Sequence, residues 1–203
     1  IPYNGVMFLV FLIWCQCSLG LAFSLSCGAK TVASGYIPNL RMKGGDDGQT
    51  LTLNDGTKHP IIGFGTYKVG FIPASASSAA VAPSTTTTTG PSARECVRTA
   101  LEVGYRFLDC AQFYGNEKEV GMAIKESSIP REKLFLASKV WCDNIYRGPS
   151  AVRQQVLQTL QDLQTDYLDL YLVHWPVPGK HVQAYQELER LKDEGLLRSI
   201  GLS

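Results

Sequence analysis

Five short apolar runs punctuate this chain, at residues 61–66, 105–109, 134–139, 168–174 and 199–203, and a helical pattern separates each from the next over most of that span. Alternation of this kind, at intervals of roughly 30 residues, implies parallel strands joined by crossover helices. The chain therefore predicts an α/β fold built on a parallel sheet. Ahead of it, residues 51–61 (LTLNDGTKHPI) read as a hairpin, because Asn54, Asp55 and Gly56 supply turn residues between two short extended arms.

The helices carry their own signals. Ser92 and Glu95 stand at capping-box spacing ahead of a face made by Cys96, Val97, Ala100 and Leu101. Asn116 is the expected N-cap of the second helix, with Glu117 and Glu119 near its positive end. The third presents Val152, Val156, Leu157, Leu160 and Leu163 as one apolar stripe. Tyr185, Leu188 and Leu191 mark the fourth, and Gly195 is its expected stop.

In a parallel sheet the carboxyl ends of successive strands converge on one rim. Asp109 follows YRFL, Tyr114 lies five residues further, Lys139 follows LFLAS and His174 follows LDLYLV, so all four are predicted to meet there. Their chemistry suits the reduction of a carbonyl. A free phenol has a pKa of about 10 and gives up its proton reluctantly. A neighbouring ammonium favours the phenolate, so Lys139 is expected to lower the pKa of Tyr114 and make it a better general acid. Asp109 would keep a buried Lys139 charged, and His174 would orient the substrate oxygen. No side chain supplies hydride, so a reduced nicotinamide or similar cofactor is inferred. Taken singly, each residue has a plainer reading: His174 as a hydrogen-bonded rim histidine, Lys139 as a surface residue, Asp109 as a turn cap, and Tyr67, Trp141 and Trp175 as packing residues.

The segments GFGTYKVG (63–70), GYRFLDCAQFYGNEKEVG (104–121), LFLASKVW (134–141), LDLYLVHWP (168–176) and GLLRSIGLS (195–203) together resemble the aldo-keto reductases, in particular the aldose and xylose reductase branch. That resemblance covers roughly residues 50–203 and implies a (β/α)8 TIM barrel whose bottom is closed by the hairpin. A barrel of eight units typically takes about 250 residues, so about five βα units make this an incomplete one, expected to turn over no aldehyde by itself. By resemblance, Asp109, Tyr114, Lys139 and His174 form the catalytic tetrad. Gly65, Thr66, Tyr67, Lys68 and Ser203 match cofactor-binding positions, and Tyr67, Trp141 and Trp175 match the walls of the substrate pocket. The implied cofactor is NADPH, with NADH the alternative, and the implied substrates are aldehydes, aldoses or related small-molecule carbonyls. Contacts to the adenine and 2′-phosphate are implied to lie beyond residue 203.

Two other readings compete. Tyr114 and Lys118 satisfy the Y-x-x-x-K spacing of short-chain dehydrogenases, but Gly115 and Asn116 put Tyr114 ahead of the helix, and Lys68 interrupts any glycine-rich dinucleotide fingerprint. Barrels of this type also resemble channel regulatory subunits and lens structural proteins, which makes a non-catalytic nucleotide-binding role the second reading.

A formal net charge of +1 and the lack of a basic cluster argue against nucleic acid as a partner, and 45% hydrophobic residues suffice for a core. Cys96, Cys110 and Cys142 are expected as free thiols, and the C-x-C at Cys15 and Cys17 has no second ligand pair at zinc spacing, so no metal is expected. Residues 1–41 read as an extension to a barrel at 42–203. Residues 6–27 contain no charge and read either as a targeting segment, secretory or organellar, or as a spurious extension, with Met42 then the start of a cytoplasmic protein. A membrane association would come only from that segment. Residues 71–93 form a low-complexity loop insertion with five consecutive threonines, a tolerated insert or a lid on the rim.

Overall fold

The computed structural model describes residues 49–70 and 91–203. The readings placed on residues 1–48, and nearly all of the insertion, lie outside the described residues. A hairpin of β1 (Thr50–Thr52) and β2 (Lys58–Pro60) leads into β3 (Phe64–Gly65). Then follow α1 (Ala93–Val103), β4 (Phe107–Asp109), α2 (Glu117–Glu126), β5 (Phe135–Val140), α3 (Cys142–Arg147), α4 (Pro149–Asp162), β6 (Leu168–Val173), α5 (His181–Asp193) and β7 (Leu197–Leu202). The sheet runs β3-β4-β5-β6-β7 with every adjacent pair parallel, which makes the chain an incomplete (β/α)8 barrel.

Strand alternation divides the side chains into two layers. On β5, Leu136 and Val140 join Leu108 of β4, Tyr171 and Val173 of β6 and the apolar faces of the helices in the large core between sheet and helices. Burying one such leucine fully contributes about 2 kcal/mol. On the opposite face, Phe107, Phe135 and Ala137 form a second, smaller core with Leu170 inside the curve of the sheet. Asp109 and Lys139 continue this inner face one pleat further along β4 and β5, so the same alternation that buries two phenylalanines carries polar groups to the rim.

The hairpin closes the opposite end. Its turn holds Gly56 at φ +88°, and His59 on β2 presents its ring edge to both Phe107 and Phe135, with centroids 4.7 Å apart in each case. Asp55 in the turn reaches across to accept hydrogen bonds from Lys192 Nζ at 2.6 Å and Ser199 Oγ at 2.7 Å. Burial pushes the Asp55 carboxyl up, but these donors and Thr57 outweigh it and hold the group well below the usual carboxylate range.

Helix boundaries follow the expected chemistry with three departures. The capping box forms as read: Glu95 N donates to Ser92 Oγ at 3.2 Å and Ser92 N donates to Glu95 Oε2 at 2.8 Å. Asn116 occupies the N-cap position of α2 but caps nothing, because its side-chain amide is drawn to the backbone carbonyls of Thr66 at 2.8 Å and Val69 at 3.2 Å. Leu157 is 47% exposed, so the buried stripe of α4 is Val152, Val156 and Leu160 together with Thr159, with Leu163 just past the helix. The short α3 was not expected; Gly148, at φ +100°, separates it from α4, and Pro149 then starts the longer helix. Gly121 is where α2 meets the end of α4 so closely that a Cβ would lie 2.0 Å from the Asp162 carbonyl oxygen. No helix among the described residues is long and apolar enough to cross a membrane.

Candidate active site

Asp109 ends β4, and one turn of 3-10 helix, Gln112–Tyr114, carries Tyr114 back over the strand ends before α2 begins. Lys139 stands near the end of β5 and His174 just beyond β6. Lys139 Nζ donates to Asp109 Oδ1 at 2.6 Å, to the Cys110 carbonyl at 2.9 Å and to Tyr114 OH at 3.1 Å. An ammonium has three donors, and all three are used. The Tyr114 ring lies 5.8 Å from the His174 ring, edge to face. Sequence-distant phenol, ammonium, carboxylate and imidazole thus occupy one place on the rim.

Electrostatics separate the four. Burial alone would push the Lys139 ammonium down, since its side chain is only 3% exposed, but Asp109 and Tyr114 more than restore it and hold its pKa above the ordinary lysine value. Tyr114 departs from the expectation that its neighbour would lower it. Burial dominates and raises the phenol above its usual value, and the opposing pull of Lys139 does not offset this. The phenol accordingly keeps its proton throughout the neutral range. His174 is pushed down to about 4 by burial and by the Lys139 charge, so its imidazole is neutral there. Its Nδ1 is buried without a hydrogen-bond partner.

Aromatic rings wall the site. Trp141 stacks on Phe113 at 4.1 Å between centroids, meets His174 at 5.1 Å and tilts toward Trp175 at 5.4 Å. Gln112 Oε1 fixes the start of this wall by accepting from Trp141 N at 2.8 Å. Tyr67 stands 5.1 Å from the Tyr114 ring, and Lys68 beside it adopts a left-handed φ of +57°. Gly65 faces open space where a Cβ would project. Thr66 is fully buried, its hydroxyl donated to the Asp109 carbonyl at 3.0 Å, so that group ties β3 to β4. Ser203 N donates to the Val173 carbonyl at 3.0 Å, which holds the residue alongside His174 at the end of β6.

Sequence reasoning missed Gln112, Phe113 and the anchoring role of Asn116. The signal was available: all three flank Tyr114 in a turn already placed on the rim. A shallow depression lined by Ile124, Arg131, Thr165 and Tyr167 sits at the other ends of β5 and β6 and includes none of the four.

The model of the aldo/keto reductase family matches residues 62–203. The chain belongs to the aldo/keto reductase family. Rho crystallin of Aquarana catesbeiana is 36% identical over 177 residues, covering 75% of this chain and 49% of that protein. Glyoxal reductase of Bacillus subtilis is 38% identical over 154 residues, covering 76% and 49% respectively. Among solved structures, a Bombyx mori aldo-keto reductase in complex with NADP superposes with a TM-score of 0.61 at 30% identity, covering 76% of this chain and 50% of that one. The chain spans about half the length of the curated relatives it matches.

Proposed function

We propose that this is a carbonyl reductase using NADPH, with NADH the alternative, that converts aldehydes, aldoses or related small carbonyls to alcohols when the eight-unit barrel is complete, and that residues 1–203 alone turn over no aldehyde. One observation carries the reading: a protonated phenol held 3.1 Å from a buried, carboxylate-paired ammonium. Family membership supports nicotinamide-dependent oxidoreduction at this site.

The residues present fit a nicotinamide. The rim offers a bare Gly65, flat rings at Tyr67 and Trp141, and a set of proton donors rather than a metal-ligating cluster. Gly65, Thr66, Tyr67, Lys68 and Ser203 would hold it, the buried Thr66 by fixing the loop rather than by its committed hydroxyl. A nicotinamide bound there would supply the hydride for the carbonyl carbon. Tyr114 gives its proton to the carbonyl oxygen, and a phenol with a raised pKa still suffices because an alkoxide is a far stronger base than a phenolate. Lys139 stabilises the phenolate left behind, and Asp109 keeps Lys139 charged. His174, neutral and with no acceptor for an Nδ1 proton, is suited to the tautomer that carries its proton on Nε2 and donates to the substrate oxygen. Tyr67, Trp141 and Trp175 wall the pocket, together with Phe113.

NADPH oxidation with a panel of aldehydes and aldoses, measured beside NADPH affinity, tests the reading in the complete barrel. Tyr114→Phe is expected to keep nucleotide binding and lose turnover. A parent that binds NADPH and reduces no carbonyl establishes the non-catalytic role instead, for which the likeness to a rho crystallin is the supporting observation.

A further inference from the structure

Glu117 is read from the sequence as an acid near the positive end of α2, and it is one of the most deeply buried carboxyls among the described residues, 5% exposed in the layer between sheet and helices. Ser138 Oγ donates to its Oε1 at 2.6 Å, and Thr159 Oγ1 donates to its Oε2 at 3.1 Å. Ser138 precedes Lys139 on β5 and points to the other face of the sheet; Glu117 begins the helix that follows Tyr114. The carboxyl therefore joins, behind the sheet, the two segments whose ammonium and phenol meet in front of it.

We propose that Glu117 is a positioning residue: by bridging Ser138 on β5 and Thr159 on α4 it sets the spacing between Tyr114 and Lys139, and the presence or absence of its proton changes that spacing. The chemistry follows from donor counting. An ionised carboxylate accepts both hydroxyl protons, whereas a protonated one presents a donor to one of two donors, and that hydroxyl must turn. Thr159 has little room to do so, because its oxygen also accepts from Gln155 Nε2 at 3.3 Å. The Tyr171 hydroxyl, buried near Thr159 without meeting hydrogen-bond geometry, is the spare polar group in this layer. Other charged or titratable groups acting on Glu117 and its surroundings are Lys139 from β5, Asp162 from α4 and the Cys110 thiol after β4. Burial outweighs the two hydroxyls and lifts the carboxyl to about 7, so the change falls in the neutral range.

The role rests on the reductase reading only for its purpose; its test does not use turnover. The full chain is labelled with 13C at tyrosine Cζ, Tyr114 is assigned with Tyr114→Phe, and its resonance is followed from mildly acidic to mildly alkaline pH. The expected result is an inflection near neutrality that disappears in Glu117→Gln and loses most of its amplitude in Ser138→Ala, where Glu117 still titrates but no longer holds β5. A flat Tyr114 titration overturns the proposal. So does an inflection that survives Glu117→Gln, or one that Ser138→Ala leaves unchanged, since a charge felt through space needs no serine. A coupled titration leaves this inference standing even where the complete barrel reduces no carbonyl, a result that removes only the reductase reading.

Discussion

Replacing Asp109 with asparagine keeps the shape of the site and deletes the counter-charge 2.6 Å from Lys139 Nζ. Removing one partner of a buried ion pair costs roughly 3–5 kcal/mol, because the remaining charge is left desolvated. Lys139, itself 2% exposed, has one escape, which is to release its proton. Starting from an ordinary lysine pKa of about 10.4, that release costs about 1.4 kcal/mol per pH unit, hence about 4–5 kcal/mol at pH 7 and about 2 kcal/mol at pH 9. The smaller of the two penalties governs. Asp109→Asn should therefore be destabilised by roughly 4 kcal/mol at pH 7 and by only about 2 kcal/mol at pH 9. Native Lys139 behaves in the opposite sense: its raised pKa contributes stability that is complete below the ordinary lysine value and disappears only as pH climbs above it. Urea unfolding of both proteins at the two pH values, with equal denaturant slopes, reads the difference directly. Parallel loss of stability at pH 7 and pH 9 would show that Asp109 is not what keeps the ammonium charged.

Two further outcomes follow from the same geometry. Asp55→Ala removes the acceptor for Lys192, Ser199 and the Thr57 amide and should cost about 1–3 kcal/mol at neutral pH. Because that carboxyl is held below its ordinary range, its contribution is present above about pH 4 and fades as pH falls further, so the two proteins should converge in acid; a constant difference would refute the assignment. With His174 pushed to about 4, carbonyl reduction by the complete barrel should show no acidic limb from an imidazole of ordinary pKa. A bend near pH 6.5 in the profile of kcat/KM that His174→Asn removes would contradict the buried, neutral imidazole.

The parallel sheet was legible because apolar runs and capping signals are local, and β4 to β7 fall inside or next to the runs that announce them. Convergence of Asp109, Tyr114, Lys139 and His174 was legible for a related reason, since parallel strands bring equivalent ends together whatever lies between them. What escaped depends on depth rather than on pattern. Glu117 looks like a solvent-facing helix acid until Ser138 and Thr159 close over it, and the pKa of Tyr114 turns on how strongly burial competes with one neighbouring charge. Leu157 fits an apolar stripe by spacing yet is largely exposed, whereas Val156 beside it is fully buried. Asn116 sits at a capping position, but its Nδ2 donates to two carbonyls of the preceding loop, and in that orientation Oδ1 accepts no helix amide.

The bonds from Asp55 to Lys192 and Ser199 join residues 137 and 144 apart in the chain. Closing a loop of that span costs far more entropy than forming the local hairpin, so we expect the union with α5 and β7 to be made late in folding. Substitutions at Asp55 should then hasten unraveling while leaving the forward rate almost untouched, the kinetic mark of an interaction made after the rate-limiting barrier has been crossed.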